Sequence, residues 1–126
     1  MNLHRTSFAE LKFKSLPGRD SADPFAQFTD IDDASVSMRI VRMVSDPNRT
    51  AHRHPHSVEV VFVKEGSGTL WIEGTRTRIQ EGDSILVPQG MKHATLPDPN
   101  SEMQLICFFP DADFSNNIEE IDEVLS

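Results

Sequence analysis

"AHRHPHSVEVVFVKEGSG", residues 51–68, sets His52, His54 and His56 at alternate positions before a run of strand-forming residues, with one carboxylate, Glu59, just beyond them. The chain has only five histidines, so this concentration calls for a cause. In an extended segment residues two apart project to the same side, so the imidazoles of His52 and His54 can reach one ion. Pro55 follows at once. Proline cannot donate to a strand ladder and is confined to edges and bulges, so a bend is expected there. Without it Glu59, an odd number of residues past His54, would face away; a bulge that inserts one residue returns it to the histidine side. In "VEVVFV" the same alternation puts Glu59, Val61 and Val63 on one face and Val58, Val60 and Phe62 on the other.

Working outward, short apolar segments separated by turn residues continue from residue 36: "VSMRIVRMV", "VEVVFV", "TLWIE", "TRI", "SILV", "HATL" and "MQLICFF". That spacing predicts an all-β sandwich or barrel. Five of the six glycines fall between 66 and 90, where they suit tight turns of positive φ. From the residues alone a β-meander is the simplest order. Both faces of "VEVVFV" are largely apolar, so one can line a barrel while the other needs cover, from the N-terminal arm or a second subunit. A homodimer is expected on that ground.

The length of 126 residues suits one domain. Residues 1–35 are read as an extended arm, interrupted by "SLPGRD", "SADPF" and the acidic "DIDDA"; within it "FAELKFKSL" fits an edge strand or a short helix. Residues 36–110 form the barrel core and 111–126 an acidic tail. In that tail Ile118, Ile121 and Leu125 share one helical face, with Asn116 or Asn117 as N-cap, so a short docking helix or a frayed end is expected.

The net charge of −8 is concentrated: from His93 onward there are eight acidic side chains and no Lys or Arg. An acidic chain without a basic stripe is repelled by phosphate backbones and anionic lipid, so neither nucleic acid nor membrane is an expected partner. With no long apolar stretch and no signal-peptide pattern, a soluble cytoplasmic protein is expected. The single cysteine, Cys107, rules out an internal disulfide and a thiolate zinc cluster. Nitrogen and oxygen ligands remain.

A fourth ligand should come from another strand. His93 is the one remaining histidine outside the N-terminal arm, and it follows a Pro-Gln-Gly turn that sends the chain back toward the start of the first strand. Taken together, these stretches resemble the two motifs of the cupin superfamily. His52, His54, Glu59 and Gly66 match the first motif, with Asp46 in place of its opening glycine; Gly82, Pro88, Gly90 and His93 match the second, with Pro97 where asparagine is usual. The likeness covers residues 46–97, and neither departure removes a ligand. It implies a cupin-type jelly-roll barrel (a double-stranded β-helix), commonly dimeric, holding a divalent metal through His52, His54, Glu59 and His93. The family spacing favours His52 over His56, which is assigned a place behind the ligands or at the rim.

Three imidazoles and a carboxylate suit Mn, Fe, Co, Ni or Zn and disfavour the oxygen-seeking Ca and Mg, and they leave coordination positions open. Non-ligand candidates are His56, Cys107, Glu102, Gln104 and Arg39, with Cys107 read chiefly as a small buried hydrophobe beside Leu105 and Phe109; Trp71 and the phenylalanines are candidates to line a pocket. The chain contains no tyrosine, so no phenol is available as an acid or base. The resulting expectation is a metal-dependent enzyme acting on a small organic molecule, with dioxygenase-type oxidation ahead of isomerase or lyase chemistry. The competing expectation is a non-catalytic small-molecule binding or sensing module.

Overall fold

The structure, a computed structural model, describes residues 4–28 and 35–125. Eleven strands are present among them: β1 (Lys14–Leu16), β2 (Arg19–Ala22), β3 (Ser37–Met43), β4 (Thr50–Arg53), β5 (Glu59–Glu65), β6 (Ser67–Ile72), β7 (Thr75–Gln80), β8 (Ser84–Val87), β9 (His93–Pro97), β10 (Met103–Phe109) and β11 (Glu119–Val124). They form two antiparallel sheets, ordered β1-β2-β3-β10-β5-β8 and β11-β4-β9-β6-β7. The all-β expectation and the jelly-roll barrel are met; the meander is not. Only β1–β2, β2–β3 and β6–β7 are sequence neighbours that pair, because most connections step from one sheet to the other. Gly66 shows how: it is the single residue between β5 and β6, lies at φ 89°, and a Cβ there would run into the Glu102 carbonyl. The one tight hairpin in the second sheet, at Glu73–Gly74, has positive φ at both central residues, the twist that suits paired strands.

Alternation on β5 and β10 builds the interior. Glu59, Val61 and Val63 on β5 and Met103, Leu105, Cys107 and Phe109 on β10 point inward and are buried, joined by Val41, Met43, Leu70 and Ile79. Val60, Phe62 and Phe108 point outward and are exposed, as the parity of "VEVVFV" requires.

The two ends of the chain depart from expectation. The arm contributes a hairpin, β1–β2, closed by Pro17–Gly18 and paired to the edge of β3; "FAELKFKSL" opens with a 3-10 turn at Phe8–Glu10 and ends in β1, the edge strand that was one of its two expected forms. The acidic run at 30–34 lies outside the described residues. The tail forms no docking helix. After a 3-10 turn at Phe114–Asn116 it becomes β11 on the open edge of β4. Four carboxylates in this six-residue segment would crowd one another on a helix; extended, Glu119 meets Arg53 at 2.8 Å and Glu120 meets Arg19 at 3.5 Å. The strand also satisfies the edge groups of β4. Asn117 is no N-cap: it closes the 3-10 turn from its C-terminal side, its N–H donating to the Phe114 carbonyl at 2.9 Å, and is fully buried.

Candidate metal centre

Each of the four ligand candidates is placed by a different piece of backbone. His52 lies on β4 and is directly opposite His93 at the start of β9. His54 sits just past the end of β4, where the bend at Pro55–Ser57 carries the chain across to the other sheet, so that Glu59 opens β5 facing back. The bend predicted at Pro55 is therefore real, but it is a crossing between sheets and not a bulge within one strand. Gln89 Nε2 donates to the Pro55 carbonyl and Gly90 N–H to that of His54, which ties the second motif's turn to the first motif's corner.

The side chains converge. One ligand atom from each of His52, His54, Glu59 and His93 lies within 4.8 Å of the others, and the His54 and His93 ring centres are 5.2 Å apart. Glu59 Oε1 is 2.9 Å from His93 Nε2 and 3.3 Å from His54 Nε2. Neighbouring ligands on an ion with bonds of about 2.1 Å stand roughly 3 Å apart, so these separations are those of a coordination edge.

Hydrogen bonding fixes the tautomers. His54 Nδ1–H donates to the Asn117 carbonyl at 2.7 Å and His93 Nδ1–H to the Met91 carbonyl at 2.9 Å, because a carbonyl can only accept. In the neutral rings both Nε2 atoms then present lone pairs toward a carboxylate. That gathering of acceptors is stable only with a proton or a cation among them. His54 Nε2 is buried without a hydrogen-bond partner. Burial pulls the His93 imidazolium down, but its bond to Glu59 and the Glu59 charge outweigh this and raise its pKa. Burial pushes Glu59 up, yet the proximity of His54 and His93 holds it below the ordinary carboxylate range. His52 is driven well below 6.5, first by burial and then by the neighbouring His93. A divalent cation would meet the same demand as the proton, and the N3O donor set with its backbone-anchored imidazoles fits one.

A cavity of about 310 Å³ opens above the cluster, walled by Val41, Leu70, Leu105 and Phe109. Of the non-ligand candidates, Cys107 and Arg39 line it. The Cys107 thiol is buried, and burial together with the nearby Glu59 pushes it well up. His56 is exposed and does not line the cavity; its backbone N–H donates to Asn117 Oδ1 at 2.8 Å. Glu102, Gln104 and Trp71 do not line it; Phe109 and Phe114 are the aromatic walls. Sequence reasoning missed Asn117, whose carbonyl orients His54, whose Oδ1 holds the corner at His56 and whose Nδ2 donates to Ser57 Oγ at 2.8 Å. No local pattern marks it, since its partners are some 60 residues away.

Fold and site define a small β-barrel with a three-histidine, one-carboxylate cluster at its core. The family model for the cupin domain matches residues 41–109, more than half of the chain, and the protein belongs to the cupin family. A comparison with curated protein sequences finds no match. Among solved structures, the nucleoside dehydratase Pac13 from Streptomyces is 14% identical with a TM-score of 0.73, covering 99% of this chain and 95% of that one. Variants of it were solved with uridine. The polyketide cyclase RemF from Streptomyces resistomycificus is 15% identical with a TM-score of 0.74, covering 97% of this chain and 86% of that one. Salicylate 1,2-dioxygenase from Pseudoaminobacter salicylatoxidans, solved with gentisate, is 20% identical with a TM-score of 0.70; the match covers 89% of this chain but 31% of the dioxygenase. At these identities the likeness establishes the fold.

Proposed function

We propose that the protein is a metal-dependent enzyme acting on a small organic molecule, with dioxygenase-type oxidation as its leading reaction class. The observation that carries the reading is the inward convergence of His52, His54, Glu59 and His93 beneath a mostly apolar cavity. A transition metal bound there would supply Lewis acidity or redox chemistry at its open positions. The chain's own residues hold and orient. Asn117 and Met91 fix the His54 and His93 rings, Glu59 offsets charge, and Val41, Leu70 and Phe109 exclude water around an entering molecule.

What the cavity lacks separates the reaction classes. Dehydration, isomerisation and elimination rely on a side chain that takes or gives a proton. Here there is no tyrosine, His56 lies outside, the Cys107 thiol is held protonated, and the two lining carboxylates that are not ligand candidates, Asp46 and Glu120, are engaged with the Asn48 N–H and with Arg19. That favours chemistry performed at the ion over proton relay, and so oxidation over isomerase or lyase activity. The same scarcity supports the second reading, a binding or sensing module.

Elemental analysis of protein purified without an affinity tag, expected to give near one transition-metal ion per chain, tests the metal centre; unchanged content in His93→Ala would overturn the ligand assignment. Oxygen uptake by the iron-loaded protein on catechols, 1,3-diketones and thiols then tests the reaction class. Turnover without oxygen consumption would overturn oxidation, and ligand binding without turnover under any metal would favour the sensor.

A further inference from the structure

The metal cluster forms the floor of the cavity; its side is cationic. Arg19, Arg39 and Arg49 line it together with three carboxylates, Asp46, Glu59 and Glu120. Three charges of each sign cancel, so a divalent ion on the floor leaves the lining doubly positive. Water screens this less than at the open surface, because charge interactions strengthen as groups withdraw from bulk solvent.

The three arginines are not equally engaged. Arg39 is occupied: it donates to the Met38 carbonyl at 2.8 Å, meets Asp23 at 3.4 Å and lies over the Phe114 ring at 4.3 Å. Arg49 is 7% exposed, and its Nη1 and Nη2 donate to the carbonyls of Gly18 and Val44 at 2.7 and 2.8 Å. Its Nε is buried with no partner. These bonds seat the guanidinium against the Pro17–Gly18 turn, beside Arg19, where a Cβ on Gly18 would come within 2.7 Å of Arg49 Nη1. Burial and the nearby Arg19 both work against the Arg49 charge, and Asp46 offsets them only in part. Among the described residues Arg19, with a side chain 17% exposed, reaches the mostly exposed Glu120 at 3.5 Å and the Pro17 carbonyl at 3.3 Å. Two neighbouring guanidiniums with donor capacity to spare, facing a cavity that also holds a cation, form a receptor for negative charge.

We propose that the molecule taken at this centre is a small organic dianion such as a dicarboxylate, one end on the ion held by His52, His54, Glu59 and His93 and the other on Arg19 and Arg49. This rests on the metal reading given above. The apolar walls, Val41, Leu105 and Phe109, then enclose the carbon chain between the two ends. Arg19 comes from the N-terminal hairpin and Glu120 from the C-terminal strand, so both ends of the chain shape what the centre accepts.

Calorimetric titration of the zinc-loaded protein with malonate, succinate and glutarate, and with their uncharged diamides, tests this. At least one diacid is expected to bind about tenfold or more tightly than its diamide, and Arg19→Gln is expected to remove most of that preference. Metal content and the binding of imidazole, a neutral probe of the ion, should not change in Arg19→Gln. Arg49→Lys, which keeps the charge but removes the Nε donor, should weaken the diacid alone; its thermal melt shows whether the fold is intact, and Arg19→Gln decides if it is not. Equal binding of diacids and diamides to metal-loaded protein overturns the proposal, as does inorganic phosphate binding as tightly as the best diacid. Protein that retains no ion yet still prefers the diacids overturns the metal reading and leaves the arginine receptor standing.

Discussion

Asn117→Ala should damage the metal centre without touching a ligand. The native side chain is fully buried and makes two bonds across the corner that carries His54: it accepts from the His56 N–H at 2.8 Å and donates to Ser57 Oγ at 2.8 Å. Its own carbonyl, which survives the substitution, accepts from His54 Nδ1 at 2.7 Å. Ser57 Oγ still donates to the Val58 carbonyl, so the main loss is one stranded backbone donor, two hydrogen bonds and a small void. Together these are worth about 2–4 kcal/mol, a fall in Tm on the order of 10 °C for a domain of this size. The slack corner also lets the His54 ring drift, and loss of such outer support costs about 10- to 100-fold in metal affinity. Thermal melts of metal-free protein and competition against a chromophoric chelator measure the two effects separately. Ser57→Ala should cost less, and the double variant less than the two singles added, because both act on one bond. If Asn117→Ala keeps its metal affinity within about twofold while losing stability, the link from tail to centre is wrong and Asn117 is a packing residue alone.

Three further outcomes are expected. Stripping the ion with a chelator should lower Tm, by about 2.7 kcal/mol of stability at a free metal concentration a hundred times Kd; no shift would mean that the cluster holds no ion. In metal-free protein the raised His93 pKa contributes stability that is complete below its ordinary value of 6.5 and lost as pH rises through the folded value. Metal binding strengthens over the same rise, since Nε2 must be free of its proton, so the Tm gap between loaded and stripped protein should widen above pH 6.5 and should not widen in His93→Gln. On the outer face of the first sheet Phe108 is paired with Val60 and Val60 with Leu86, and all three are exposed together with Phe62. That patch should seat a second copy of the chain, and Val60→Asp should convert a dimer to a monomer in sedimentation; a native chain that sediments as a monomer would refute it.

The legible parts of the sequence were those where one residue type has one use. Gly66 at a φ closed to side chains, Pro55 at the corner and four metal-seeking side chains in two spaced groups all carry their reason locally. Alternation along "VEVVFV" placed Glu59 inside with Val61 and Val63 and left Val60 and Phe62 outside, as observed. The tail was misread because Ile118, Ile121 and Leu125 satisfy a helical period, whereas the deciding influence is the open edge of β4 and the cations Arg53 and Arg19, none of which a local pattern contains. The bulge inferred at Pro55 failed for a similar reason: parity along one strand says nothing about a chain that changes sheets.

This division has a physical consequence for what such a protein can reveal of itself. The residues that would hold an ion come from two motifs at the centre of the chain, where the fold leaves little freedom, since His52 must oppose His93 and Glu59 must open its strand facing back. The rim is made differently. Arg19 reaches it from a hairpin in the arm, Phe114 and Ile118 from the turn before β11, and Glu120 from β11 itself, all segments held by edge pairing and not by the barrel's closure. Substitutions there should change which molecule enters without costing the core its packing or the cluster its ligand side chains. We expect the family motifs to set the centre and the two end segments, acting with Arg49, to tune the choice of substrate, so exchanging residues 14–22 and 114–124 should alter ligand preference while leaving metal content as it was.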